Sequence, residues 1–479
     1  MKKIFLILGV ISTVFVACKS DKNKEVVEET IVEETVADSL QPISETDLET
    51  AIIYEANIRQ YSPEGTFDAF TKDIPQLKQL GVKVIWLMPV FPISETKRKA
   101  TGGENSKFAT DFPEDEQSKY LGSYYAVTDF TKINPEFGTI EDFRELVAQA
   151  HENGIYVILD WVPNHTGWDH TWIKNHPDYY TQNEAGEIIH PKDTDWTDVA
   201  DLNYDNQSMR KEMIEDMSYW ITQENIDGFR CDVAGSVPTD FWEQAIPELR
   251  KEKDIFMLAE AWEPELLKGN LFDMAYAWDG HHLLNGLAKK EKNLQDFQDY
   301  INKNSTDYEA NDILMNFVTN HDENSWNGTV KERMGNASEV MTALSYVLPG
   351  MPLIYSGQEY DLDHRLKFFE KDSFPKNKAN TWKLLETLGQ LKQTNDALNG
   401  GKNSASFKIV KTTNVNILKV EREKNGKQIL FIANMSDEVQ TENNAVVGNY
   451  MDYISNKTME FKANESITLQ PWGYKILIK

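Results

Sequence analysis

From Ile52 to about Leu398 the chain alternates short, nearly unbroken apolar runs with segments whose apolar residues recur every three or four positions. The unbroken runs are Ile52–Ile58, Val82–Val90, Tyr156–Val162, Gly228–Val233, Ile255–Trp262, Met274–Trp278, Leu314–Asn320 and Pro352–Ser356. Runs of this length without polar alternation predict strands covered on both faces. The helical patterns between them are Thr66–Leu80, Ile140–Asn153, Gln207–Glu224, Thr239–Lys251, Asn293–Tyr300, Ala337–Val347 and Thr381–Leu391. Gly81 and Gly154 follow two of these patterns, the usual place for glycine past a helix C-terminus. Strand and helix repeated in this way predict an α/β protein built on a TIM-type (β/α)8 barrel. A doubly wound open sheet is the alternative, but no Gly-rich phosphate turn follows the first strand.

Two stretches interrupt the rhythm. A long polar segment, 92–123, follows the second strand, and residues 166–206, rich in Trp, Tyr, His and Asp, form a small inserted domain after the third. Both belong at the C-terminal rim of a barrel, where such enzymes carry their chemistry. Beyond about residue 400 the pattern becomes Asn416–Val420, Ile429–Asn434 and Tyr474–Ile478 with no helix between, which predicts a C-terminal antiparallel β domain. The expected organisation is a signal peptide at 1–18, an acidic tether at 19–50, the barrel at 51–396 and the β domain at 397–479.

The N-terminus departs from all of this. Lys2 and Lys3 precede an apolar run from Ile4 to Val16, closed by Ala17-Cys18, the layout of a secretory signal peptide. A cysteine after a small residue resembles the lipobox of bacterial lipoproteins, although Phe15 stands where leucine is commonest. The resemblance implies lipidation at Cys18, export and a membrane anchor, with the outer membrane as destination and its face left open. Residues 19–50, dominated by Glu, Asp, Lys, Ser and Thr, cannot bury enough apolar area to offset ordering entropy.

Charge narrows the partner. With 77 acidic against 49 basic residues the net charge is −28, which would repel nucleic-acid phosphates and suits an uncharged substrate. Cys18 and Cys231 are the two cysteines, so no disulfide framework supports the body.

Four acids fall at or just beyond strand ends. Asp160 lies in VILDWVPNH, Asp232 in GFRCDVA, Glu260 in IFMLAEAW and Asp322 after FVTNHD. Any one of them alone reads as a turn or helix cap. Four in one barrel mouth, with Arg230, His165 and His321 among them, read as a site. These strings resemble the four conserved regions of the α-amylase family of glycoside hydrolases, in the same order. SYYAVTDF with INPEFGT, GMPLIYSGQE and ADLN resemble further family segments, so the likeness runs from Ile52 to the C-terminus.

Retaining cleavage of an α-glycosidic bond needs a nucleophile and an acid about 5–5.5 Å apart. Arg230 and Asp232, two residues apart, point to one face of a strand, so the guanidinium should keep Asp232 ionised as nucleophile. Glu260, facing that anion and Asp322, should have a raised pKa and act as the acid. Asp322 then binds ring hydroxyls and stabilises the oxocarbenium-like transition state. His165 and His321 donate to sugar hydroxyls, and Tyr125 is a platform for the ring. Asp160 has an architectural role. The substrate implied is an α-glucan or maltooligosaccharide, and no organic cofactor is implied.

Two departures qualify the likeness. Where many α-amylases carry a Lys-His pair after the nucleophile, this chain has Gly235-Ser236. The family resemblance implies calcium at Asn164 and Asp201, an ion that prefers oxygen ligands, but the missing pair leaves its presence open. Val233 after the nucleophile is common in relatives acting on α-1,6 or mixed linkages. The expected function is therefore an α-1,4-glucan hydrolase, with an α-1,6-tolerant, cyclodextrin-hydrolysing or transglycosylating relative as the alternative and an inactive glucan-binding scaffold as a third.

Overall fold

The computed structural model describes residues 40–479 except 104, 444 and 445. Cys18, the signal peptide and most of the tether lie outside these residues. Eight parallel strands close into a barrel: β1 Ile53–Ala56, β2 Val84–Leu87, β3 Tyr156–Trp161, β4 Gly228–Cys231, β5 Phe256–Ala259, β6 Met274–Tyr276, β7 Ile313–Asn316 and β8 Met351–Tyr355. Each strand pairs with the next in sequence, and β8 returns to β1. Closure rules out the open doubly wound sheet.

Short strands leave a small interior. Ile53, Val84, Trp86, Ile158, Leu258, Met315 and Leu353 fill it from alternate positions along their strands. Outward-facing neighbours such as Ile85, Val157, Phe229 and Met257 pack under the surrounding helices. The antiparallel ladder of His165–Gly167 with Val199–Asp201 organises the insertion after β3.

The C-terminal domain is a six-stranded antiparallel sheet with a separate two-stranded ladder. Its central hairpin pairs β9 Ile417–Lys424 with β10 Lys427–Asn434. Alternation sorts the residues of β10: Ile429, Phe431 and Ala433 join the main core, while Leu430 and Ile432 face a second, smaller one.

Several element boundaries differ from expectation. The tether does not run to Thr50: Glu45–Thr50 is a helix, capped at Ser44, and its Leu48 is buried in the cluster that fills the barrel interior. Leu48, with Leu40 and Ile43 packed beside it, gives this acidic stretch a docking point that its composition hides. The pattern Thr66–Leu80 is three short helical pieces, Phe67–Thr71, Ile74–Leu77 and Lys78–Leu80, because Pro75 cannot continue an α-helix. Gly81 ends the last piece with φ +78. Trp278 opens a helix, Trp278–Ala288, rather than closing a strand, and the helix expected to end at Tyr300 continues to Asp307.

Candidate active site

The register of β3 with β4 sets Asp160 directly beside Arg230. Both are fully buried, and Arg230 Nη1 donates to Asp160 Oδ1 at 2.8 Å and to Asp232 Oδ1 at 2.9 Å. Arg230 Nε donates to the Tyr276 hydroxyl at 3.1 Å, and the guanidinium lies 4.8 Å from the Trp86 ring centroid. Arg230 Nη2 is 2.8 Å from Glu260 Oε2, an ion pair made outside hydrogen-bonding geometry. One guanidinium is thus shared among three carboxylates.

The next layer follows from strand alternation. Asp232 and Glu260 stand just past the ends of β4 and β5, two residues beyond the inward-facing Arg230 and Leu258. Val233 takes a left-handed conformation with φ +37 and ψ +45, an outlier for a β-branched residue. That turn aims its N–H at Glu260 Oε2, 2.8 Å away. Strain at such a position costs about 1–3 kcal/mol and persists where surrounding contacts require it.

Asp232, Glu260, Asp322, Tyr125, His165 and His321 all border one cavity of about 430 Å³, with Arg230 beneath. A larger cavity, about 910 Å³, bounded by Lys331, Glu339, Thr387 and Ile454, contains none of these acids. Tyr125 stacks on His321 at 5.7 Å between ring centroids and on Phe368 at 6.4 Å. Burial pulls the His165 imidazole down to about 3, so it is neutral. Asn164 Nδ2 lies 3.2 Å from His165 Nδ1, and an amide donating there leaves the ring proton on Nε2. His321 is the reverse case. Burial would lower it, but Asp322 and Glu55 lift it to about 9, and it is a cation at neutral pH.

The acids do not ionise as expected. Burial pushes Glu260 up, but Arg230 and the Val233 N–H more than offset this, and its carboxyl is held below the ordinary value. Asp232 is driven well above its ordinary value by burial and by Glu260, Asp160 and Asp322, against the pull of Arg230. The expectation overlooked that Arg230 reaches Glu260 as well as Asp232. Asp232 and Glu260 lie against the same guanidinium, so the ionisation of each depends on that of the other. Burial also lifts Asp160, to about 6, and raises Asp322, which His321 partly restrains.

Asn164 and Asp201 stand apart from this cluster. Asp201 pairs in register with His165, and its carboxyl engages the Thr181 side chain. Among the described residues no group of three or more His, Cys, Asp or Glu side chains could hold a metal. Calcium takes about six to eight oxygens, so these two side chains do not make up its cage, and no step below passes through it.

Sequence reasoning missed several contributors. Glu55 stands next to the last residue of β1, whereas the apolar run Ile52–Ile58 places it in mid-strand. Trp326 arrives on a π-turn, Glu323–Asn327, directly after Asp322. Lys99, from the loop after β2, bonds the Asp195 carbonyl and pairs with Asp198, joining the two long rim loops.

The barrel carries its carboxylates at or beyond the C-terminal ends of β3, β4, β5 and β7, the rim where barrel enzymes hold their chemistry. The alpha-amylase catalytic-domain model matches residues 44–197 and 193–397, and the chain belongs to that family. It is 27% identical over 358 residues to alpha-amylase 3 of Dictyoglomus thermophilum, covering 65% of this chain and 64% of that protein. It is 26% identical over 419 residues to a cyclomaltodextrinase of Thermoanaerobacter pseudethanolicus, covering 80% of this chain and 67% of that protein. The alignment takes in 44% of alpha-amylase MalA from Haloarcula japonica, so parts of the curated relatives lie beyond it. Among solved structures, an alpha-amylase from Lactobacillus plantarum superposes with a TM-score of 0.78 at 27% identity, covering 91% of this chain and 100% of that one. A maltogenic alpha-amylase from Thermotoga neapolitana gives 0.78 at 26%, with 90% and 99% covered.

Proposed function

We propose that the chain is a retaining α-glucan hydrolase that cleaves α-1,4-glucosidic bonds in starch-like polysaccharide or maltooligosaccharides. The observation that carries this reading is Arg230 set between Asp232 and Glu260 under a cavity whose wall includes Asp322. With a glucosyl unit bound, Asp232, paired with Arg230, gives its proton to Glu260 and attacks the anomeric carbon as the anion. Glu260 passes that proton to the departing glucosidic oxygen. Water then loses a proton to Glu260 and opens the Asp232 ester, restoring both groups. The Asp322 carboxylate, with the His321 cation beside it, stabilises the positive charge that develops on the ring, and neutral His165 donates Nε2–H to a hydroxyl.

A second reading, an α-1,6-tolerant, cyclodextrin-hydrolysing or transglycosylating enzyme, is favoured by Val233 beside the nucleophile. A 4-alpha-glucanotransferase of Thermotoga neapolitana, 29% identical over 334 residues, also stands among the relatives. One experiment separates these readings: products from maltooligosaccharides, pullulan and cyclodextrin, resolved over time with proton NMR of the first product. Maltooligosaccharide shortening with the α-anomer first is the expected result. Elongated products or faster pullulan and cyclodextrin cleavage select the second reading, and β-anomers first would remove the double displacement altogether.

A further inference from the structure

Glu55 is a fully buried acid beside the site that takes no part in the steps above. Its Oε2 has no hydrogen-bond partner, and its Oε1 lies 2.5 Å from His321 Nδ1 and 3.3 Å from the His321 backbone N. A glutamine could accept the same two hydrogen bonds at a lower desolvation cost. A carboxylate kept here with one oxygen unsatisfied therefore points to a need for its charge.

We infer that Glu55 is a positioning residue whose carboxylate keeps His321 doubly protonated and thereby sets the direction of a hydrogen-bond chain across the floor of the site. The inference rests on the α-glucan reading above. His321 Nε2 is 2.8 Å from the Tyr125 hydroxyl, and that hydroxyl is 3.2 Å from Asp160 Oδ2. Asp160 in turn holds Arg230, which holds Asp232. With both ring nitrogens protonated, Nε2–H donates to Tyr125, and the tyrosine's one hydroxyl proton is free for Asp160. If His321 loses its Nε2 proton, that nitrogen becomes an acceptor, Tyr125 turns its proton back to His321, and Asp160 loses a donor. The guanidinium then shifts its balance between Asp160 and the two acids above it.

Other groups press on the same imidazole. Asp322 Oδ2 lies 3.4 Å from Nε2, Trp86 packs edge-on at 5.9 Å, and Arg230 opposes the positive charge while Asp160 and Glu260 feel it. Asp322 is 35% exposed and can turn to a sugar, whereas Glu55 cannot leave. Burial pushes the Glu55 carboxyl above its ordinary value, against the pull of His321 and Arg230; fixed in place, it is the steady partner of His321, which is lifted to about 9.

The test is an imidazole nitrogen NMR titration of the full chain without substrate, paired with pH profiles for maltooligosaccharide cleavage. Wild-type His321 should keep both ring protons at neutral pH and lose one only as pH rises through about 9. In Glu55→Gln it should lose that proton at a lower pH. The alkaline limb of activity should move down with it, and kcat should fall by up to about 100-fold with KM little changed. Glu55→Asp, which keeps the charge, should hold the limb nearer the wild-type position. A wild-type His321 that is neutral at pH 7 overturns the inference even if Glu55→Gln does not fold. So does a Glu55→Gln enzyme with an unmoved alkaline limb. If the wild type cleaves no α-glucan, the function reading fails while the titration still decides the role of Glu55.

Discussion

Three carboxylates compete for the guanidinium of Arg230, and each contact has a different quality. Asp160 and Asp232 share Nη1, whereas Nη2 faces Glu260 off the hydrogen-bonding direction, and the planar guanidinium fixes all three contacts at once. The assignment of roles is testable with near-isosteric changes. Glu260→Gln cannot donate a proton, and natural glucans should be cleaved at least about 10²–10⁴-fold more slowly. An α-glucosyl fluoride needs little protonation of its leaving group, so pre-steady-state fluoride release should survive in Glu260→Gln and be lost in Asp232→Asn. A faster burst from Asp232→Asn would mean the two acids had been given each other's parts.

At the scale of elements, the barrel is closed from below by a segment the sequence presents as solvent-loving. Ser44 caps Glu45–Thr50 and forms a reciprocal box with Asp47, while Leu48 reaches the barrel interior cluster. Burial opposes the Asp47 charge, but the Ser44 bonds, Lys83 and Tyr156 together hold its carboxyl below the ordinary range. That contribution is present above the unfolded pKa and is lost as pH falls through the lowered one. Leu48→Ala should cost about 2–5 kcal/mol, read as a lower thermal midpoint, with initial rates below that midpoint unchanged. A loss of stability under about 0.5 kcal/mol would show that the helix merely rests on the barrel. The barrel strands were legible because each is an apolar run whose polar residue marks its C-terminal end. The acids Asp160, Asp232, Glu260 and Asp322 were legible for the same reason. Leu48 was not, because the apolar residues of that stretch, Leu40, Ile43 and Leu48, are few and set among acidic and polar ones. Nor was the ion pair of Arg230 with Glu260, which depends on where a single guanidinium nitrogen points. The helix at Trp278 was hidden because it starts two residues after β6, with no polar linker to mark the change.

Across the whole molecule, the β domain is fastened to the barrel by buried cations held on carbonyl oxygens. Arg422, fully buried in β9, donates to the carbonyls of Val347, Asn399, Ala405 and Ser406, tying the helix before β8, the linker and the sheet together. Lys392, on the last barrel helix, donates to the Leu398 carbonyl. Burial, with Arg422 adding to it, lowers Lys392 to about 7 from an ordinary 10.5. Below about pH 7 Lys392 is protonated folded and unfolded, and the cost of burying its charge is fully present. Between about 7 and 10.5 the unfolded chain binds the extra proton, so this residue makes stability rise with pH. His321 acts oppositely: its contribution is fully present below an unfolded value of 6.5 and is lost as pH rises through about 9. The two slopes offset each other in the wild type where their windows overlap. Lys392→Met, close in volume and uncharged, should uncover the downward one. Unfolding free energies of both proteins from pH 6 to 10 would test this. Their difference should change by up to about 1.4 kcal/mol per pH unit above pH 7, the wild type gaining on the variant. A constant difference across that range would mean that Lys392 stays charged in the folded protein, its ammonium fully satisfied at the joint.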